Sequence, residues 1–159
     1  MCELGARANM AEYLVFDALI GNTDRHHSNW GIIRHEGRPD RMAPSFDHAS
    51  SLGFNVRPAK LDRQLENTVF QDVVRRYAGK GRGKFQGAPG LVDLAREAAF
   101  AVPDTVKEDV VARIESLGPS LWTPILERVP EHLMSHRARM FAAELLQTNR
   151  ERLLHDLAD

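Results

Sequence analysis

The 159-residue sequence predicts a mainly α-helical single domain with one small β-hairpin in its first third. Three observations lead there. Apolar residues recur at helical spacing through most of the chain, and Pro and Gly punctuate those segments. Two short apolar runs, Trp30-Gly31-Ile32-Ile33 and Met42-Ala43-Pro44-Ser45-Phe46, flank the turn-rich His35-Glu36-Gly37-Arg38-Pro39-Asp40, which is the pattern of a hairpin. The composition, 43% hydrophobic and 27% charged, is that of an ordinary globular chain of one-domain size.

In chain order, residues 6–20 read as a helix apolar on most sides and therefore buried, with Gly21 placed to stop it. The opening Met1-Cys2-Glu3-Leu4-Gly5 reads as a continuation, which predicts a chain truncated relative to its relatives or paired with a separate partner. After the hairpin, Ser50-Ser51-Leu52-Gly53-Phe54-Asn55 is loop-like and ends near Pro58. Residues 61–77 carry an amphipathic stripe of Leu61, Leu65, Val69, Phe70, Val73, Val74 and Tyr77, expected as one helix. Pro89-Gly90 opens a helix over 91–102 with Leu91, Leu94, Ala95, Ala98 and Ala99 on one face. Pro103 and Asp104 start another over 105–117, Asp104 suiting the positive end of its dipole. Gly118-Pro119 breaks it, and Ser120 is expected to cap residues 121–129, which Pro130 ends. The last helix is expected over 135–157, apolar at Met140, Phe141, Leu145, Leu146, Leu153, Leu154 and Leu157. No repeat, heptad run or second core is visible. The expected organisation is one domain over 1–159, with a site region at about 17–53 and a helical scaffold at about 60–159.

The chemistry concentrates in Gly21-Asn22-Thr23-Asp24-Arg25-His26-His27-Ser28-Asn29, answered by Phe46-Asp47-His48. Asp24 and Asn29 stand five positions apart in a polar loop, the spacing between the base Asp and the metal-binding Asn of a protein-kinase catalytic loop. Taken alone, Asp24 reads as a turn or helix cap. As a set with Asn29 and Asp47 it reads as a general base beside two oxygen ligands for Mg²⁺. Phosphoryl transfer needs positioning and charge neutralisation, and a carboxylate near the acceptor hydroxyl orients it and takes its proton. Magnesium prefers oxygen donors and takes one or two carboxylates alongside phosphates and water. Two antiparallel strands return the chain to its starting point, bringing Asp47 back beside the loop.

These residues resemble the C-terminal lobe of the HipA-like serine/threonine kinases, most sharply from about residue 17 to 53. The loop is also similar to that of the phosphatidylinositol 3- and 4-kinases. The resemblance implies the helical lobe of a protein-kinase-like fold with the N-terminal lobe absent, and ATP- and Mg²⁺-dependent phosphoryl transfer to a hydroxyl. It implies Asp24 as catalytic base, Asn29 and Asp47 as metal ligands, and Asn22 and His26 as braces of the loop. The acceptor implied is a protein Ser/Thr, with a toxin–antitoxin role. A phosphoinositide or small-molecule acceptor and a catalytically inactive or truncated binding module are the alternatives. His48-Ala49 after Asp47 departs from the Phe-Gly usual in kinases. The chain begins almost at the helix before the loop, leaving no room for a phosphate-covering small lobe with its strand Lys. The implied partners are therefore a protein substrate or an N-terminal lobe supplied by another chain.

Other chemistries are disfavoured. A net charge of −1 gives no bulk attraction to nucleic acid or anionic membranes. The single cysteine, Cys2, forbids an internal disulfide and a Cys-based zinc site. His26, His27 and His48 suggest a metal hydrolase, but adjacent histidines diverge, whereas zinc ligands converge. Trp30 reads as core. No apolar run reaches membrane-spanning length and no basic-then-apolar leader opens the chain, which together predict a cytoplasmic protein. Residues 79–87, with Lys80, Arg82 and Lys84 among glycines, lack the strand, frame and following helix of a P-loop. With Arg75 and Arg76 they form a basic patch, read as a flexible solvated linker.

Overall fold

The structure, a computed structural model, describes residues 2–38 and 40–158. Met1 of the expected N-terminal continuation, Pro39 of the expected turn and Asp159 lie outside the described residues. Among the described residues there are seven helices and one two-stranded antiparallel hairpin, in the order α1 (Cys2–Ile20), β1 (Ile32–Ile33), β2 (Arg41–Met42), α2 (Pro58–Leu65), α3 (Phe70–Ala78), α4 (Leu91–Phe100), α5 (Asp104–Ser116), α6 (Pro119–Glu127) and α7 (His136–Leu157). No described helix is long and apolar enough to cross a membrane.

Helix α7 is the axis of the core and packs against α1, α3, α4, α5 and α6. Ser135 caps it, its Oγ accepting from the Ala138 N–H at 3.3 Å, which satisfies one of the free N–H groups of the first turn. One side of α7 joins α1 and α4 through Ala142, Leu146 and Leu153 against Val15, Ala18, Val92, Ala95 and Ala99. The small residues Ala18, Ala95, Ala99 and Ala142, each at most 1% exposed, let these helices approach closely. A second cluster sets Leu61 of α2 and Val73, Val74 and Ala78 of α3 against Phe141 and Leu145 of α7. Met140, expected in the apolar face of the last helix, is instead 49% exposed. Thr148 and Asn149 are buried in the same helix, Asn149 because its Nδ2 donates to the Leu19 carbonyl at 3.2 Å.

The expected single helix over 61–77 is two helices. Its stripe is real on both sides of the break, but Val69 takes an extended conformation as the N-cap of α3 and is 65% exposed. Asn67 and Thr68, weak helix formers, occupy the break, and each half turns separately to reach Phe141. Helix α6 begins at Pro119 with Gly118 as N-cap and no side-chain cap, so Ser120 lies inside the first turn and does not cap it. The hairpin is shorter than the two apolar runs, pairing Ile32 with Met42 and Ile33 with Arg41. The Ala43 N–H still donates to the Gly31 carbonyl at 2.8 Å, and Pro44, with no N–H, cannot continue the ladder. Asp47 is reached by an irregular segment rather than a strand.

That segment is tied into the core. The Leu52 N–H donates to the Ile20 carbonyl at 2.8 Å, closing the end of α1, and Gly53 turns at φ +77 beneath the Phe141 ring. A Cβ on Gly53 would meet Phe141 Cδ1 and Cε1 at 2.7 Å. Gly53→Ala combines left-handed backbone strain with overpacking, an expected loss of about 2 kcal/mol or more. Its melting temperature should fall by roughly 4–8 °C. An unchanged melting curve would show that the Phe141 ring moves aside freely.

Candidate active site

Asp17 sits in the last turns of α1, 1% exposed among apolar neighbours. A carboxylate buried there requires a hydrogen-bonded partner. The turn at Gly21, φ +68, brings the chain back so that Arg25 supplies it. Arg25 Nε donates to Asp17 Oδ2 at 2.6 Å and Nη2 to Oδ1 at 2.8 Å, both side chains being 2% exposed. Asn22 Nδ2 adds a bond to the same Oδ1 at 2.9 Å. The rest of the guanidinium fork reaches outward: Nη1 donates to the Asn29 carbonyl at 2.6 Å and Nη2 to Ser45 Oγ at 2.7 Å. His48 Nε2 lies 3.4 Å from Nη2 and 2.8 Å from Ser45 Oγ. Tyr13 lies under the guanidinium at 5.7 Å and its hydroxyl donates to the Ala43 carbonyl at 2.6 Å. One buried side chain thus fastens helix, loop and hairpin exit together.

Around this anchor the sequence-predicted residues fall as follows. Asn22 is buried, and its Oδ1 accepts from the Asp24 N–H at 3.1 Å, an Asx turn. The Asp24 carbonyl accepts from Asn29 Nδ2 at 2.8 Å, while the Asp24 side chain is 39% exposed. Because that carbonyl can only accept, the Asn29 amide is oriented with its nitrogen inward. Its Oδ1 accepts no hydrogen bond among the described residues. Asp47 is exposed and stands at φ +58, and its carboxylate makes no ion pair or hydrogen bond with a described residue. A non-glycine residue in this region carries strain of order 1–3 kcal/mol, here held by Ser45 and His48 on either side. His26 Nδ1 accepts from the Ser28 N–H at 3.2 Å, and the His26 and His27 rings are tilted by 49° with centroids 5.7 Å apart. No three His, Cys, Asp or Glu side chains among the described residues come together to hold a metal ion. The uncommitted oxygens are Asn29 Oδ1 in the loop and the Asp47 carboxylate after the hairpin, donor types that suit a hard divalent cation completed by phosphate and water.

Sequence reasoning missed four participants. Asp17 had a signal, a carboxylate in an otherwise apolar helix segment. Arg25 and Ser45 have none apart from that need. Lys84 is the fourth: its Nζ lies 4.0 Å from Asp24 Oδ1. The loop over 79–87 is not a flexible linker. Arg82 bridges Gly90, and the Gly83 N–H donates to the Pro89 carbonyl at 2.9 Å. Added Cβ atoms on Gly81 and Gly83 would each approach Leu91 or Leu94 to 3.0 Å, so these glycines serve close packing on α4. An open groove of about 630 Å³ adjoins the loop at Gly21 and Thr23 but is not lined by Asp24, Asn29 or Asp47.

A helical lobe with a hairpin at one edge and a polar loop between its first helix and that hairpin is a kinase-like fold. The chain is similar to the Helicobacter pylori proinflammatory kinase CtkA, with a TM-score of 0.61 and 18% identity over 95% of this chain and 54% of that one. It therefore spans about half the length of that kinase. No family model matches the chain, and no curated protein matches it in sequence.

Arg25→Ala strips the partner from a buried carboxylate, with an expected cost of about 3–5 kcal/mol. Urea unfolding is the measurement. A midpoint within experimental error of the parent would mean that water replaces the guanidinium at no cost.

Proposed function

We propose that the chain is the helical lobe of a HipA-like serine/threonine kinase, and that Asp24, Asn29 and Asp47 act together in phosphoryl transfer from ATP to a protein hydroxyl. The observation that carries this reading is the state of the loop's oxygens. Asn29 is anchored through its nitrogen and the Asp47 carboxylate has no partner among the described residues, so both are available to a cation, while Asp24 is partly exposed in the same loop as Asn29. Magnesium, when bound, would neutralise phosphate charge and orient the transferring group.

Asp24 would hold the acceptor hydroxyl by its hydrogen and take that proton as the oxygen bonds to the terminal phosphorus and ADP departs. Asn22 and His26 would keep the loop in shape, the first through the Asp24 N–H and the second through the Ser28 N–H. Lys84 places an ammonium next to Asp24, where the transferred group carries negative charge. Their 4.0 Å pairing is exposed and contributes little to stability. Remaining contacts to the nucleotide phosphates, which in kinases come from a small lobe, would be made by such a lobe, whether on this protein or on a partner. A cytoplasmic location and a toxin–antitoxin role accompany the HipA-like reading.

Calorimetry of ATP binding with and without Mg²⁺, on the parent and Asp47→Asn, is the first test. Magnesium-dependent binding that the variant loses supports the metal role. Equal affinity in the two proteins removes Asp47 from the site. In a radiolabelled-ATP transfer assay, Asp24→Asn should lower turnover by at least about 10²-fold with an unchanged circular dichroism spectrum. Retained turnover would exclude Asp24 as the base.

A further inference from the structure

We propose that the groove bounded by α2, α3 and α7 binds an acidic peptide segment, and that this segment belongs to the protein acceptor. The substrate role rests on the phosphotransfer reading above, whereas the binding itself does not. The groove, about 630 Å³, is lined among the described residues by six cations and by no Asp or Glu. Arg57, Lys60 and Arg63 recur at every third residue along α2 and its N-cap, so they form one ridge. Arg76 and Lys80 come from the end of α3 and the residues after it, and Arg152 from α7. In a chain of net charge −1 this is a local concentration of positive charge.

None of the six forms an ion pair with a described residue. The Arg63 Nε donates only to the Ala59 carbonyl, at 3.3 Å, and Arg152 Nη1 to Asn149 Oδ1, at 3.4 Å. Two acidic side chains on the same helices are engaged elsewhere, Asp62 with Arg137 and Asp72 with Arg75. Six like charges around one groove repel one another, so a polyanion there gains from every wall.

The shape selects the class of anion. Val56 and the ring of Tyr77, both half-buried, also line the groove over the core residues Leu61, Phe141 and Leu145, so it offers a strip of apolar surface between basic walls. Tyr77 and Asn55 add a polar pair, the Tyr77 hydroxyl donating to Asn55 Oδ1 at 2.8 Å. A single phosphate needs neither the volume nor the apolar surface, but a short peptide with acidic and aliphatic side chains uses both. Gly21 and Thr23, the residue before Asp24, also line the groove. A peptide lying along it brings its own continuation toward the candidate base, which is where an acceptor hydroxyl must arrive.

The test is fluorescence anisotropy of the full chain with a fluorescein-labelled decapeptide of Glu and Leu residues around one Ser. The same peptide with Gln for Glu is the neutral comparison. The expected result is saturable binding of the acidic peptide only, weakened by added salt. Lys60→Glu with Arg63→Glu should raise Kd at least about tenfold. Arg76→Gln with Lys80→Gln, from another wall, should weaken it in the same direction. Arg7→Glu with Arg128→Glu, two exposed arginines outside the groove, should leave it within about twofold, as surface charges distant from the contact do.

Equal binding of the Gln peptide, or indifference to both groove variants, overturns the proposal. So does preferential binding to phosphatidylcholine vesicles containing phosphatidylinositol bisphosphate that Lys60→Glu with Arg63→Glu abolishes, since the groove would then read a lipid headgroup. Asp24→Asn and Asp47→Asn should bind the acidic peptide like the parent. Peptide binding without phosphotransfer upholds the groove and sinks the kinase reading. Phosphotransfer to protein that ignores the groove charges does the reverse.

Discussion

The site of this protein depends on one buried ion pair. Asp17 and Arg25, each side chain 2% exposed, meet through two hydrogen bonds, and the same guanidinium holds the Asn29 carbonyl and Ser45 Oγ. Such a pair adds little net stability compared with an apolar replacement, because desolvating both charges offsets their attraction. Its consequence here is geometric. The planar fork of Arg satisfies several acceptors in fixed directions, so a loop, a helix and a hairpin exit that are separate in sequence are placed by a single group.

The constraint runs from the core outward. Helix α7 positions α1 through shared small-residue packing and the Asn149 bond to Leu19. The end of α1 in turn receives the Leu52 N–H, and Gly53 seats against Phe141. The segment carrying Asp47 is therefore anchored before it by Ser45, and after it by His48 and Leu52. Along this segment, Asp47 and Leu52 are both held at positive φ, 58° and 55°. Strain of this kind persists where surroundings over-determine the backbone, and here it presents an exposed carboxylate.

Loop and groove divide the surface by charge. The loop offers oxygens, from Asp24 and Asn29, with Lys84 beside Asp24. The neighbouring groove offers cations and apolar surface. Tyr77 in its wall has its phenol raised above the ordinary 10.0 by burial, so it stays a hydrogen-bond donor at neutral pH. The likeness to a kinase at 18% identity concerns the fold. The chemistry proposed rests on which polar atoms of this chain are engaged and which are left available.

What the sequence by itself determined is local. The extent of most helices, the stop at Gly21 and the order of loop, hairpin and Asp47 all follow from propensity, capping and periodicity over a few residues. The polar loop was legible for the same reason, since its residue types and spacing are contiguous. Tertiary structure decided the rest. The split between α2 and α3 preserves the apolar stripe, so only the position of Phe141 reveals it. The pairing of Asp17 with Arg25, the reach of Lys84 to Asp24 and the meeting of six cations from separate elements have no signature in the linear pattern. Each is a contact that forms only after the chain has folded back on itself, and burial, rather than propensity, selects the partner.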